Sequence, residues 1–405
     1  MTSSHSLSSA IYRLFFADGF PEDRKLSPGA KYLIVLAFFT VTRVATWVSH
    51  DCSDIIPLTG NTDPAGYIAV ANYITQHGHL SLEDDQHYRQ FAGLPLLMAA
   101  LNPLVGNMAT TGYLIVITTA LGSLALMQRL FDNLRLTLIS SVFLPYWVIS
   151  TTTIYAEAPA VLCFLIGVWV LRDFRERPIL LSLGILVAGY SLVIRPPSLF
   201  LAVPTLALIA WRLPGGNLSL SIRVTILLML PFAIYLGWNW LTIHQLFPQG
   251  RLQSADMEAF RLRNPDPNHY TVQEFNFPFR GIVEGLTDPW EKISKKISVV
   301  GSIATAIVAL VCATRMAIKE GDPQRRALAT GFAAALFLYL LFHSMLWPLA
   351  SYKYIDRYLS GANVVIDWAI FLERPLRWPW ILALAIGGVI FAAHMGGYQP
   401  FGGRL

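Results

Sequence analysis

Asp63 and Tyr67, four positions apart, are the leading candidates for catalytic residues in this sequence. They stand at the start of an amphipathic stretch at 66–77, which predicts a helix lying along a membrane interface. The apolar residues of its one face are Tyr67, Val70, Ala71 and Ile74. A carboxylate held there has the chemistry of a general base that takes a proton from a hydroxyl group. Because Asp63 precedes Pro64, it also fits a cap of the helix N-terminus, and one side chain can do both.

Cations that suit a phosphate group occur at two places. Arg195 is stiffened by the two prolines that follow it, and its guanidinium can donate two parallel hydrogen bonds. A short tyrosine-rich segment, which begins at Tyr352, carries Lys353 and Arg357. Asp356, the preceding residue, is expected to orient Arg357. The alternatives are an arginine that reaches lipid headgroups at the first place, and an interfacial aromatic belt with its own cations at the second.

Three further carboxylates are weaker candidates. Glu157 would lie at the start of a membrane-crossing helix, and an ionisable group at that boundary is a candidate site residue. Asp51 and Asp54 follow the first predicted span, where a base could also sit, although solvated loop anions are the plainer interpretation. No Cys-x-x-Cys motif or Cys/His cluster occurs, so no metal ligand is predicted.

The composition is that of a membrane protein. Of the 405 residues, 54% are apolar and 14% are charged, and the mean hydropathy is +0.50. Soluble domains carry about 25% charged residues, so a soluble globular enzyme is disfavoured. The formal net charge of +5 is assigned to cytoplasmic loops rather than to nucleic-acid binding.

Apolar runs cut by Pro, Gly and charged residues predict an all-α polytopic membrane protein with about eleven transmembrane helices. The predicted spans lie at 31–49, 110–129, 136–150, 155–171, 178–194, 197–211, 222–242, 298–318, 327–346, 360–372 and 379–396. Arg43 is the one basic residue well inside a predicted span. We expect it to pair with a polar group of the bundle.

The basic residues orient these spans. With the N-terminus inside, more than half of the 30 Lys and Arg residues fall on the cytoplasmic side. This divides the chain into a cytoplasmic segment at 1–30, a transmembrane module at 31–242 with its first outer loop at 50–109, a second outer loop at 243–297 and a C-terminal transmembrane module at 298–405. Because the cytoplasmic connections are short, the chemistry is expected on the outer face.

Four of these features together resemble the GT-C superfamily of integral-membrane glycosyltransferases. The first is Asp63 with Tyr67 ahead of a helix that contains small residues, soon after the first span. The segment at 89–99 is similar to the family's Pro-Gly-Tyr-Pro-like return to the membrane. The run at 155–157 resembles its Tyr-Ser-Glu-like motif, and Arg195 with the next proline resembles its Arg-Pro. The likeness covers roughly 30–212 and is similar to the protein and lipid mannosyltransferase and aminoarabinose transferase group.

The resemblance implies a cell-envelope enzyme that moves a sugar from a polyprenyl-phosphate donor to an acceptor hydroxyl, with inversion at the anomeric carbon. It implies Asp63 as the general base, and Arg195, Lys353 and Arg357 near the donor phosphate. No cofactor beyond this lipid-linked donor is expected. A divalent metal stays open but is not favoured, because Pro64 stands where many members of the family have Glu.

Two other classes of function remain as alternatives. A secondary transporter or lipid flippase is disfavoured, since charges in the spans are sparse and the halves do not repeat. An outer-face glycan ligase or polymerase would carry its long loop late in the chain.

The expected location is a bacterial plasma membrane with the active site on the extracytoplasmic face. The expected partners are membrane lipids, the donor, and a lipid, glycan or protein acceptor, with no nucleic acid.

Overall fold

A computed structural model describes residues 26–49, 63–80, 91–244, 246, 280–287, 293–345, 359–372 and 376–396. The principal elements in these ranges are α-helices, with one 3₁₀ turn at Pro196–Ser198. The helices are α1 Pro28–Ser49, α2 Asp63–His77, α3 Gly93–Val105, α4 Met108–Phe131, α5 Leu134–Val142, α6 Pro145–Ser150, α7 Glu157–Asp173, α8 Pro178–Ile194, α9 Leu199–Arg212, α10 Leu218–Ile243, α11 Arg280–Thr287, α12 Ile293–Lys319, α13 Pro323–Met345, α14 Asn363–Phe371 and α15 Trp378–Gly396.

Five of the described helices are long and apolar enough to cross a bilayer, and they are α1, α4, α10, α12 and α13. The all-α class is therefore confirmed, and these five helices have the length and composition of membrane-crossing helices. The predicted number of about eleven spans is not. Most of the other predicted spans became helices of 9 to 19 residues. At 1.5 Å per residue, a 17-residue helix is about 25 Å long, less than the hydrocarbon thickness of about 30 Å.

The long helices turn apolar side chains outward. On α1, Leu33, Val41 and Val48 are exposed, and on α10 the same holds for Ile226 and Leu241. An outward apolar face is expected of a helix whose surroundings are lipid rather than water. Inside, α7 contacts α4 and α8, and α9 contacts α13. The shorter helices α5, α6 and α14 complete the interior of the bundle.

The predicted span at 136–150 is a broken helix in which every residue of α5 is buried. Pro145 has no N–H to donate to the Ser141 carbonyl, so the helix stops before it and restarts as α6. Arg43 of α1 donates from Nη2 to the Ser141 carbonyl at 2.8 Å. Asn363 of α14 donates from Nδ2 to the Ser140 carbonyl at 2.7 Å. Side chains of two other helices thus satisfy the carbonyls that the break releases.

As predicted, Arg43 pairs with polar groups of the bundle. Its Nε donates to the Thr151 hydroxyl at 2.8 Å and its Nη1 to the Thr42 hydroxyl at 3.0 Å. The guanidinium also lies over the Phe39 ring, 4.5 Å from its centroid. These contacts join α1 to the segment that follows α6.

Candidate functional site

The predicted amphipathic helix is α2, and it begins at Asp63 rather than at residue 66. A proline is favourable at the first positions of a helix, and an acidic residue there interacts well with the helix dipole. The face predicted from the sequence is buried: Tyr67, Val70, Ala71 and Ile74. The helix packs on α3 and α4, and Asp63 itself is half-buried.

The start of α3 packs directly on the end of α8. A Cβ atom added to Gly93 would lie 2.4 Å from the backbone Cα and N atoms of Ile194. Tyr190 of α8 donates its hydroxyl hydrogen to the Gly93 carbonyl at 2.9 Å. Only a residue without a side chain permits this approach of two backbones. The contact fixes the start of α3 against the residue that precedes Arg195.

Gly93→Ala is expected to destabilise the protein, because the new methyl group must push α3 away from α8. Overpacking of this kind costs about 1–3 kcal/mol of the free energy of unfolding. The matched control is Gly387→Ala in α15, where nothing lies within 4 Å of the added atom. There the substitution should be neutral or stabilising by up to about 1 kcal/mol. SDS unfolding of the purified variants measures both, and equal stabilities would contradict the close contact.

Glu157 and Arg195 form a buried ion pair between neighbouring helices. Glu157 is the first residue of α7, and Arg195 follows the last residue of α8. The Arg195 Nη1 donates to Glu157 Oε1, and the two side chains are 9% and 1% exposed, respectively. The low exposure shows that the pair is shielded from water, so its Coulombic attraction is weakly screened. It closes the α7–α8 hairpin at the end opposite the connecting loop.

The local sequence explains why Arg195 can turn toward Glu157. Proline at 196 disfavours helical geometry in the residue before it, and Arg195 accordingly has extended backbone angles, with φ −148° and ψ 91°. On the other side, Glu157 lies in the first turn of α7, where the helix dipole favours a negative charge. Each partner is placed by a helix terminus rather than by a flexible loop.

A buried histidine, His343, adds a third ionisable group close to the pair. It lies near the end of α13, is fully buried, and its Nδ1 is 2.8 Å from the Tyr339 carbonyl. The charge of Arg195 acts on its ring. The sequence places His343 in a predicted span but gives no sign that it lies near Arg195, since 148 positions separate the two.

Residues from or next to three of the predicted motifs meet in one buried hydrophobic cluster. Tyr67 packs there with Ala156 and Ile194, the residues directly before Glu157 and Arg195. The sequence singled out Glu157 and Arg195 separately and did not predict that they pair. The predicted spans could have indicated this pairing. Glu157 starts one span and Arg195 follows the next, and these two ends are neighbours in an antiparallel hairpin.

Six of the predicted site residues lie outside the described residues: Asp51, Asp54, Tyr352, Lys353, Asp356 and Arg357. The part of the chain that is described contains no group of three or more His, Cys, Asp or Glu residues arranged to hold a metal ion. What it does contain is a half-buried carboxylate on α2 and a buried arginine–carboxylate pair, joined through α3 and the Tyr67 cluster. Compared with known proteins, the chain matches no family model, no curated protein and no solved structure.

Proposed function

We propose that this protein is a membrane glycosyltransferase that moves a sugar from a polyprenyl-phosphate donor to an acceptor hydroxyl on the extracytoplasmic face. The observation that carries the proposal is the meeting of residues from four separate motifs. The Asp63 helix, the Gly93 segment and the Glu157–Arg195 pair are joined by the Tyr67 cluster and by the contact of α3 with α8. In the sequence these motifs are spread over more than 130 positions.

The proposed role of Arg195 is to bind the phosphate of the donor. A guanidinium can donate to a carboxylate and a phosphate at once, since its five N–H groups point in different directions. Glu157 engages Nη1 and so fixes the plane of the guanidinium before any phosphate arrives. Lys353 and Arg357 are proposed to complete the phosphate site, as the resemblance implies.

The proposed role of Asp63 is to take the proton from the acceptor hydroxyl as the new glycosidic bond forms. A single displacement inverts the anomeric carbon, and the phosphate leaves as the hydroxyl oxygen attacks from the opposite face. Tyr67 follows one helical turn later and is buried, so it anchors α2 and thereby the position of the carboxylate.

A transfer assay tests the proposal. Purified protein in lipid nanodiscs is given radiolabelled polyprenyl-phosphate sugars and a panel of acceptors extracted from bacterial envelopes. We expect label to move from one donor into a lipid, glycan or protein fraction, with empty nanodiscs as the control. If no donor yields transfer with any acceptor while the protein stays folded, the enzyme proposal is wrong.

One observation favours a second candidate, a secondary transporter. The α5–α6 break is buried within the bundle. Arg43 and Asn363 donate hydrogen bonds to the backbone carbonyls that the break leaves without helical partners. Discontinuous helices of this kind form substrate and ion sites in several transporter folds. Uptake of labelled sugars, lipids or amino acids into sealed proteoliposomes under an ion gradient would support this candidate. Sugar transfer in open nanodiscs, where no gradient exists, would favour the enzyme.

A further inference from the structure

A second group of polar side chains lies at the α5–α6 break, away from the Glu157–Arg195 pair. Asp367 belongs to α14 and is completely buried. In the part of the chain that the structure describes, neither of its carboxylate oxygens has a hydrogen-bond partner and no cation forms an ion pair with it. A buried charge in that condition is costly, and ionisable residues within membrane helices commonly mark ion sites.

Two neutral side-chain oxygens, from Asn363 and Ser140, lie in the same part of the bundle as this carboxylate. Asn363 lies one helical turn before Asp367 on α14, and its amide nitrogen is already used on the Ser140 carbonyl. Its Oδ1 and the Ser140 Oγ are both buried, and among the described residues neither has a hydrogen-bond partner. The Ser140 hydroxyl is near enough to act on the Asp367 carboxylate, although the two groups do not reach hydrogen-bond geometry. All three side chains therefore present oxygen atoms as potential ligands.

The helix break adds a favourable field for a positive charge. Ser140 lies in the last turn of α5, where the helix dipole is negative. Arg43 uses its three nitrogens on Ser141, Thr151 and Thr42, and none of these hydrogen bonds goes to Asp367. One carboxylate balances one positive charge, which fits a monovalent ion better than a divalent one.

The number of oxygens distinguishes a metal ion from a proton. A proton needs one carboxylate oxygen and one acceptor, and it would leave the Asn363 Oδ1 unused. An alkali metal ion takes several oxygen ligands at once, and half-helix ends are where such ions bind in discontinuous membrane helices. We propose that Asp367, Asn363 and Ser140 form a binding site for a monovalent metal cation of the sodium or potassium class at the α5–α6 break.

Thermal unfolding of the full chain in nanodiscs tests this site. A ligand that binds only the folded state raises the Tm, and the increase grows with the logarithm of the ligand concentration once that exceeds the dissociation constant. We expect the Tm in sodium or potassium chloride to exceed that in choline chloride of the same ionic strength by about 2 °C or more. The Asp367→Asn variant should lose this difference. Asp322→Asn, which changes an exposed aspartate at the start of α13, should keep it.

A second variant keeps the test decisive if Asp367→Asn does not fold. Ser140→Ala removes one proposed ligand oxygen without leaving a described hydrogen bond unmade. It should raise the cation concentration needed for a given increase in Tm by about three- to tenfold. A Tm that is equal in all three chlorides would overturn the proposal, as would a cation effect that Ser140→Ala leaves unchanged. Neither result depends on whether the protein transfers sugars.

Discussion

Asp63→Asn is expected to lower the rate of sugar transfer by about 100- to 10,000-fold, the usual contribution of a general base. Asparagine is isosteric with aspartate and caps a helix N-terminus equally well, so the start of α2 should be preserved. The free energy of unfolding should change by no more than about 0.5 kcal/mol. Transfer kinetics and SDS unfolding of the same preparation separate the two roles of Asp63, since a residue that only caps would leave the rate intact.

The chain contains a matched control for this substitution. Asp322 also precedes a proline at the start of a helix, and its Oδ1 accepts a hydrogen bond from the Gln324 N–H at 2.9 Å. On the predicted orientation it lies on the cytoplasmic side, so Asp322→Asn should leave transfer unchanged. If Asp63→Asn transfers sugar at the wild-type rate, the base must be sought at Asp51 or Asp54.

Glu157→Ala is expected to lower the free energy of unfolding by about 3–5 kcal/mol, because it leaves the Arg195 charge buried without its carboxylate. The double variant with Arg195→Met should be more stable than Glu157→Ala, since it removes both charges. Unfolding in mixed micelles at rising SDS concentration measures the three free energies. A double variant that is less stable than either single variant would contradict this account.

A second pair on α7 serves as the control for burial. Asp173, at the other end of the same helix, pairs with Arg172 at 2.7 Å, and both side chains are more than 20% exposed. Water screens that pair, so Asp173→Asn should cost about 1 kcal/mol or less. The contrast between the two ends of α7 isolates the effect of burial from that of the substitution.

The sequence predicts helices best where proline and charge mark both ends. The predicted span at 178–194 has the same bounds as α8, since Pro178 opens the helix and Arg195 precedes a proline. The span predicted at 136–150 was wrong as one continuous helix, although Pro145 was visible inside it. The residues on both sides of Pro145 are apolar enough to resemble one span, and the contacts that stabilise the break come from distant parts of the chain.

The sequence predicts which residues belong to the candidate site better than it predicts how they contact one another. Asp63, Tyr67, Glu157 and Arg195 were each identified from residue type and position. Their joining depends on Gly93 meeting Ile194, a backbone contact that a single sequence does not reveal. The roles of Lys353 and Arg357 stay predictions, because both residues lie outside the described ranges.

The contact between Arg43 and the broken helix has a consequence for biosynthesis. Arg43 enters the membrane in α1, but its acceptors on Ser141 and Thr151 are 98 and 108 residues later in the chain. At a synthesis rate of about 5–20 residues per second, α1 waits roughly 5–20 s for them. An arginine inside a lone membrane helix opposes insertion, by up to about 2.5–3.5 kcal/mol at the helix centre. The first helix thus becomes fully stable in the bilayer only after the fifth and sixth have been made.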